Sequence, residues 1–536
     1  MIEGGMRQTG PSETPAPGGK RQRDLRLDFF RGLAMFIILL AHTPGNAWTL
    51  WIPARFGFSD ATEIFVFCSG FASALAFGAT FVKRSWLLGA ARIAYRVWQV
   101  YWAHIGIFLV TATLVFSIDY FGVGIEGHRH VTEPYVVPLF SRTGEALIGL
   151  LTLTYVPGLF DILPMYLVIL AMVPVVMALY AVGGRAAVAA FVVTVWLASN
   201  LAGLGRLAEE SADPGALTTA LAPLGTALGW MNLPSNPFGN GTWFFNPFGW
   251  QLVFFTGFAF GMGWIPAPPV TRGLVRLALA IVVLTIPFAW FKIHDGLYVP
   301  ADWALREWIA ATRDWAEPMW WKSWLGIFRY AHFLAVAYLA WVAVGPGGRR
   351  LTEGFSPPRA LGGVWLALAA VVVVLTIPYA YVDEIRTISP TLDAFLVKTV
   401  PLIPGDRMGL VQLAHLVALI VVVWAAIGAS GREAVARRWL PASVPVIRKV
   451  GTQSLAVFMT SIPLAQINGW LLGIMGPDVW TRAAINLSGF AILIATAYMV
   501  SWFKSQPWRG AQVASAGAIE GHGRKAGASG GKAARA

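Results

Sequence analysis

The 536 residues are 57% hydrophobic and only 12% charged, against roughly 25% charged residues in an average soluble domain. A chain of that composition in water would expose large apolar patches, which soluble monomers avoid, so a soluble globular protein is excluded. The formal net charge of +13 does not indicate nucleic acid either, because Lys and Arg sit in short clusters between apolar runs, as the positive-inside rule requires of a membrane protein.

The first 26 residues are polar and carry Lys20, Arg21, Arg23 and Arg26. That tail is too long and polar for the leader of a cleaved signal peptide, so the first apolar segment is expected to remain as a membrane helix. Apolar segments long enough to cross a bilayer follow at 27–43, 60–82, 95–117, 162–181, 186–204, 247–264, 271–291, 327–344, 361–380, 408–428, 451–474 and 483–503. The stretch 144–156 is amphipathic and reads as re-entrant or interfacial. The fold class is therefore all-α, a polytopic membrane protein of about 10–12 transmembrane helices. With the N-terminus in the cytoplasm, most of the 40 Lys and Arg fall on the cytoplasmic side. Residues 1–26 and 505–536 read as disordered, basic cytoplasmic tails around a transmembrane domain spanning 27–504. The outer segments 118–161, 205–246, 292–326 and 381–407 are rich in Trp, Pro, Asn and Gly. Such residues stack on and hydrogen-bond sugars, and they also form interfacial aromatic belts. There is no internal repeat and no inverted pair of broken helices, features that mark many secondary transporters. The single cysteine, Cys68, lies in an apolar run and provides neither a disulfide framework nor a thiol metal site. No metal-ligand spacing and no Gly-rich phosphate loop is present, so no bound metal or cofactor is expected.

Ionisable groups at membrane depth are costly and mark function. On the first segment Asp28, Arg31 and His42 fall within about 60° of one another on a helical wheel, with Arg31 and His42 about 16 Å apart along the axis. One polar stripe thus runs from the cytoplasmic end toward the outer half. Asp60 and Glu63, three residues apart, share a face at the outer end of the second segment. A carboxylate there can orient His42 and raise its basicity. Arg92 and Arg96, one turn apart at the cytoplasmic start of the third segment, can clamp phosphates or simply flank the span. His104, His332 and His415 read as packing histidines. Two classes of function fit this pattern: a membrane enzyme, or a transporter or flippase with Asp28, Arg31 and His42 as a proton or substrate relay.

The stretches Arg23 to Ala34 with His42, Gly57 to Phe71, Asp161 to Tyr166, Phe245 to Leu252, Ala331 to Ala335 and Gly451 to Phe458 resemble the OpgC family, a branch of the acyltransferase-3 type membrane acyltransferases. The resemblance implies a multi-helix enzyme of the bacterial inner membrane. Such an enzyme takes an acyl group, succinyl or acetyl, from cytoplasmic acyl-CoA as co-substrate and delivers it to a hydroxyl of a periplasmic or envelope glucan. It also implies that Arg31 and His42, separated by ten residues, match an essential Arg and His on the family's first helix. Arg92 and Arg96 take the place of the family's paired arginines near the third helix. The expected site is then His42 as general base or acyl carrier, Asp60 and Glu63 beside it, and Asp28, Arg31, Arg92 and Arg96 along the donor path.

Overall fold

A computed structural model describes residues 24–509, except 212–213, 297, 382–384, 386–388, 390, 393 and 396–407. Most of the two expected tails and much of the outer segment 381–407 lie outside the described residues. Among those described there are helices, short turns and one isolated bridge between Pro234 and Thr242, and no strand.

The chain runs through α1 (Leu25–His42), α2 (Ala61–Lys83), α3 (Trp86–Tyr120), α4 (Ile162–Glu210), α5 (Gly215–Ala227), α6 (Pro247–Met262) and α7 (Arg272–Ala289). It continues through α8 (Ala304–Trp315), α9 (Ile327–Val344), α10 (Gly363–Ala380), α11 (Met408–Ala426), α12 (Leu440–Thr452), α13 (Ser454–Met475) and α14 (Val479–Ser505). This is an all-α, polytopic membrane architecture. Among the described residues nine helical stretches are long and apolar enough to cross a membrane, fewer than the twelve expected segments, and the reasons are physical. Segments 162–181 and 186–204 are two helices joined through Gly184, whose φ of 62° and ψ of −152° are non-helical, so the continuous stretch α4 holds both expected segments and counts once among the nine. The first segment, α1, carries Arg26, Asp28 and Arg31, so charge rather than length separates it from the nine. The third is α6, only 16 residues long. The stretch expected at 144–156 is a short apolar helix, Thr143–Thr152.

Each start has a local cause. The Asp24 carboxylate accepts from the Arg26 amide at 2.9 Å and caps α1. Asp60 and Glu63 form a reciprocal capping box on α2, which closes two of the orphan donors of a helix start. Asn246 caps α6 through its side chain, with Pro247 at the first helical position. Two close crossings then fix the bundle around α1 and α2. A Cβ at Gly70 would fall on the Phe254 carbonyl, and one at Gly257 on the Phe67 carbonyl, so α2 and α6 approach at backbone distance. Gly32 and Gly451 do the same for α1 and α12. Without a hydrophobic force between helices in lipid, such small-residue contacts supply the packing.

Candidate active site

His42 ends α1 and Asp60 caps α2, so the 43–60 connection brings both to one end of the bundle. His42 is half-buried. Its Nδ1 lies 2.8 Å from the Ile38 carbonyl oxygen, one turn back on α1. A carbonyl only accepts, so Nδ1 carries the proton and Nε2 keeps its lone pair. The charges of Lys322 and Asp60 act on this ring.

The carboxylates are engaged differently from the sequence expectation. Among the described residues no hydrogen bond joins Asp60 or Glu63 to His42, whose Nδ1 is held by the Ile38 carbonyl. The reason lies more than 260 residues away, where two cations claim the carboxylates. Lys322 Nζ donates to Asp60 Oδ2 at 2.5 Å, and Arg329 Nη2 donates to the same oxygen at 3.2 Å. Arg329 Nε donates to Glu63 Oε1, while Glu63 Oε2 accepts from the Asp60 amide at 2.8 Å. Glu63 is fully buried and Arg329 nearly so, at 7% exposure. A buried charge persists when paired and hydrogen-bonded, and this pair is both. His332, one turn beyond Arg329 on α9, accepts from the Ser59 amide at 3.2 Å, with the Ser59 hydroxyl at 2.7 Å. It pins the residue that precedes Asp60, in keeping with a packing histidine.

Lys322 and Arg329 are the residues at this site that the sequence reading did not single out. Lys322 lies at the end of a Trp-rich segment and Arg329 in the first turn of α9, and nothing in their spacing signals a partner on α2. The turn carrying Lys322 is held from several helices. Trp250 Nε1 donates to the Lys322 carbonyl at 2.9 Å, the Asn246 amide to the Ser323 carbonyl at 3.0 Å, Asn200 Nδ2 to the Trp324 carbonyl at 3.0 Å, and Trp196 Nε1 to the Leu325 carbonyl at 2.9 Å. Leu325, fully buried, takes a φ of 57°, a left-handed conformation that costs a branched residue roughly 1–2 kcal/mol. Asp161, at the start of α4, is buried and its Oδ2 has no hydrogen-bond partner among the described residues; the charge of Lys322 reaches it as well.

Deeper in the bundle, Asp28 is fully buried and Arg31 is 6% exposed. Arg31 Nη2 donates to the Cys68 carbonyl at 2.5 Å, and its buried Nε has no hydrogen-bond partner among the described residues. Arg31 and His42 therefore occupy one helix, as expected, with Arg31 turned toward α2. Arg92 and Arg96 do not converge. Arg92 donates to the Thr80 hydroxyl and lies 5.3 Å from the Phe77 ring centroid, whereas Arg96 donates to Gln99 at 3.2 Å on its own helix.

The family model described as OpgC protein matches residues 23–366 and 356–505. No curated protein and no solved structure matches the chain. The matched stretches take in α1 with Arg31 and His42, α2 with Asp60 and Glu63, and the Lys322 turn, and the chain belongs to the OpgC family.

Proposed function

We propose that this protein is a membrane-embedded O-acyltransferase of the bacterial inner membrane. It moves a succinyl or acetyl group from cytoplasmic acyl-CoA to a hydroxyl of a periplasmic or envelope glucan. The observation that carries this reading is the state of His42. Its Nδ1–H is anchored to the Ile38 carbonyl, and Nε2 is left as a base at the end of the helix that also holds Arg31. Family membership supports an acyltransferase, and the loop distribution of Lys and Arg supports a cytoplasmic N-terminus.

In this reaction the acceptor hydroxyl gives its proton to His42 Nε2 as its oxygen attacks the thioester carbonyl carbon. The C–S bond then breaks, and the CoA thiolate takes the proton from the imidazolium. The products are an ester and CoA thiol. The pantetheine arm would run along the α1 stripe past Arg31, a path of about 16 Å, which suits a long thin chain. Arg92 and Arg96 would meet the nucleotide phosphates as separate charges rather than as one clamp.

The test is CoA release by purified protein in detergent from acetyl-CoA or succinyl-CoA, with and without a β-glucan, beside the His42→Ala variant. Release stimulated by the glucan and abolished in His42→Ala is expected. Turnover retained in His42→Ala would remove the assignment. No turnover by folded wild-type protein with either donor would favour transport by way of Asp28, Arg31 and His42.

A further inference from the structure

Acyl transfer puts a negative charge on the thioester oxygen at the moment of attack, and a base alone does not stabilise it. Preorganised donors aimed at that charge are usually the largest single contribution to catalysis. Two cations stand at the His42 end of the bundle, and they differ in what they have left to give. Arg329 is almost wholly buried and is held by both carboxylates. The Lys322 side chain is 27% exposed. An ammonium has three donors, and among the described residues the Lys322 Nζ has one hydrogen-bond acceptor, Asp60. Two of its protons are therefore available. The Phe244 and Phe245 rings lie 5.9 and 5.3 Å from Nζ, within cation–π range of the ammonium. The carboxylate it holds, Asp60, caps α2 across the short 43–60 connection from His42.

We propose that Lys322 is the electrophilic catalytic residue, donating a hydrogen bond to the thioester oxygen while His42 takes the hydroxyl proton. As the acceptor oxygen bonds to carbon, the carbonyl electron pair moves onto this oxygen beside Nζ. When the pair returns, the C–S bond breaks and Lys322 is unchanged. The turn supports this role independently of the charge, because four consecutive backbone carbonyls, from Lys322 to Leu325, are each fixed by a donor from α4 or from the start of α6, and Leu325 adopts a left-handed conformation. Backbone strain held by its surroundings is a recurrent mark of functional positions. Asp60, in this arrangement, holds the ammonium in place.

The inference rests on the acyltransferase reading, so its test begins from wild-type protein that releases CoA. Lys322→Met and Lys322→Gln are compared with wild type for kcat and for KM of the acyl donor. Lys322→Gln retains a donor for Asp60 and controls for lost pairing. A fall in kcat of about 100- to 1,000-fold, with the donor KM within about threefold, is expected for both. Lys322→Cys supplies the decisive arm. The only native cysteine is Cys68, which is buried, so alkylation with 2-bromoethylamine would restore an ammonium selectively at position 322. Recovery of kcat after alkylation supports the inference. A kcat within threefold of wild type in folded Lys322→Met, or no recovery on alkylation, overturns it and leaves His42 untouched. Wild-type protein inert toward every donor would remove the acyltransferase reading, and this inference with it.

Discussion

Arg329 and Arg31 are both arginines withdrawn almost completely from solvent within apolar helices, and the two regions treat them differently. At the His42 end, Arg329 is bound through two nitrogens to Asp60 and Glu63, and those carboxylates are themselves tied into the start of α2. At the α1–α2 contact, Arg31 donates to the Cys68 backbone carbonyl, and among the described residues its buried Nε has no hydrogen-bond partner. A buried donor left unmade costs about 1–3 kcal/mol, more when charged. The first arrangement reads as architecture around a site. In the second, one buried guanidinium nitrogen has no hydrogen-bond partner among the described residues, and under the proposed reaction it would meet the polar arm of the donor.

The largest effect should come from breaking the satisfied pair. Glu63→Leu removes the fully buried carboxylate from Arg329 and leaves Asp60, already shared with Lys322, as its remaining carboxylate, and loss of one partner of a buried pair costs about 3–5 kcal/mol. Size-exclusion profiles in detergent should show loss of monodisperse protein, with partial recovery in the Glu63→Leu, Arg329→Leu double variant. A single variant that elutes and melts like wild type would show that the pair is not structural.

Arg31→Met should behave in the opposite way. The apolar stem is kept, one hydrogen bond is lost, and the thermal midpoint should move by no more than about 3 °C, while CoA release falls about 100-fold. Full activity in Arg31→Met would erase the contrast between the two arginines.

Gly70 sharpens the same comparison through packing. It lies two residues after Cys68 and meets the Phe254 backbone, so Gly70→Ala must separate α2 from α6 and shift the acceptor used by Arg31. A cost of about 1–3 kcal/mol is expected, read as a lower melting point, whereas Gly106→Ala, which faces open space on α3, should melt like wild type. Equal melting of the two variants would argue against a fixed α2–α6 crossing.

The smallest change is expected at the donor entrance. Arg92 has a hydroxyl and a ring as partners rather than a carboxylate, and an exposed charge contributes at most about 1 kcal/mol. Arg92→Ala should raise the acyl-CoA KM about fivefold with kcat unchanged, and Arg96→Ala no more than that. A loss of kcat in either variant would place the thioester nearer α3 than the α1 stripe does.

The chain itself determined the bilayer as solvent, the positions of the apolar segments and the shared stripe of Arg31 and His42, because these follow from composition and from a helical period acting over a few turns. It also placed Asp60 and Glu63 on one face, since a three-residue spacing is local. It also separated 162–181 from 186–204, and Gly184 between them is non-helical, as a glycine at a helix break can be. It did not reveal what the carboxylates serve. That was decided by Lys322 and Arg329, which arrive from more than 260 residues away, and by a turn held in place from α4 and α6. The orientation of His42 was decided by its own helix carbonyl, which competes with any side-chain partner and, being four residues back, is always within reach. Local periodicity fixes which residues share a helix face; only packing fixes which charges meet across helices, and in lipid every buried charge must find such a partner or be kept for a ligand.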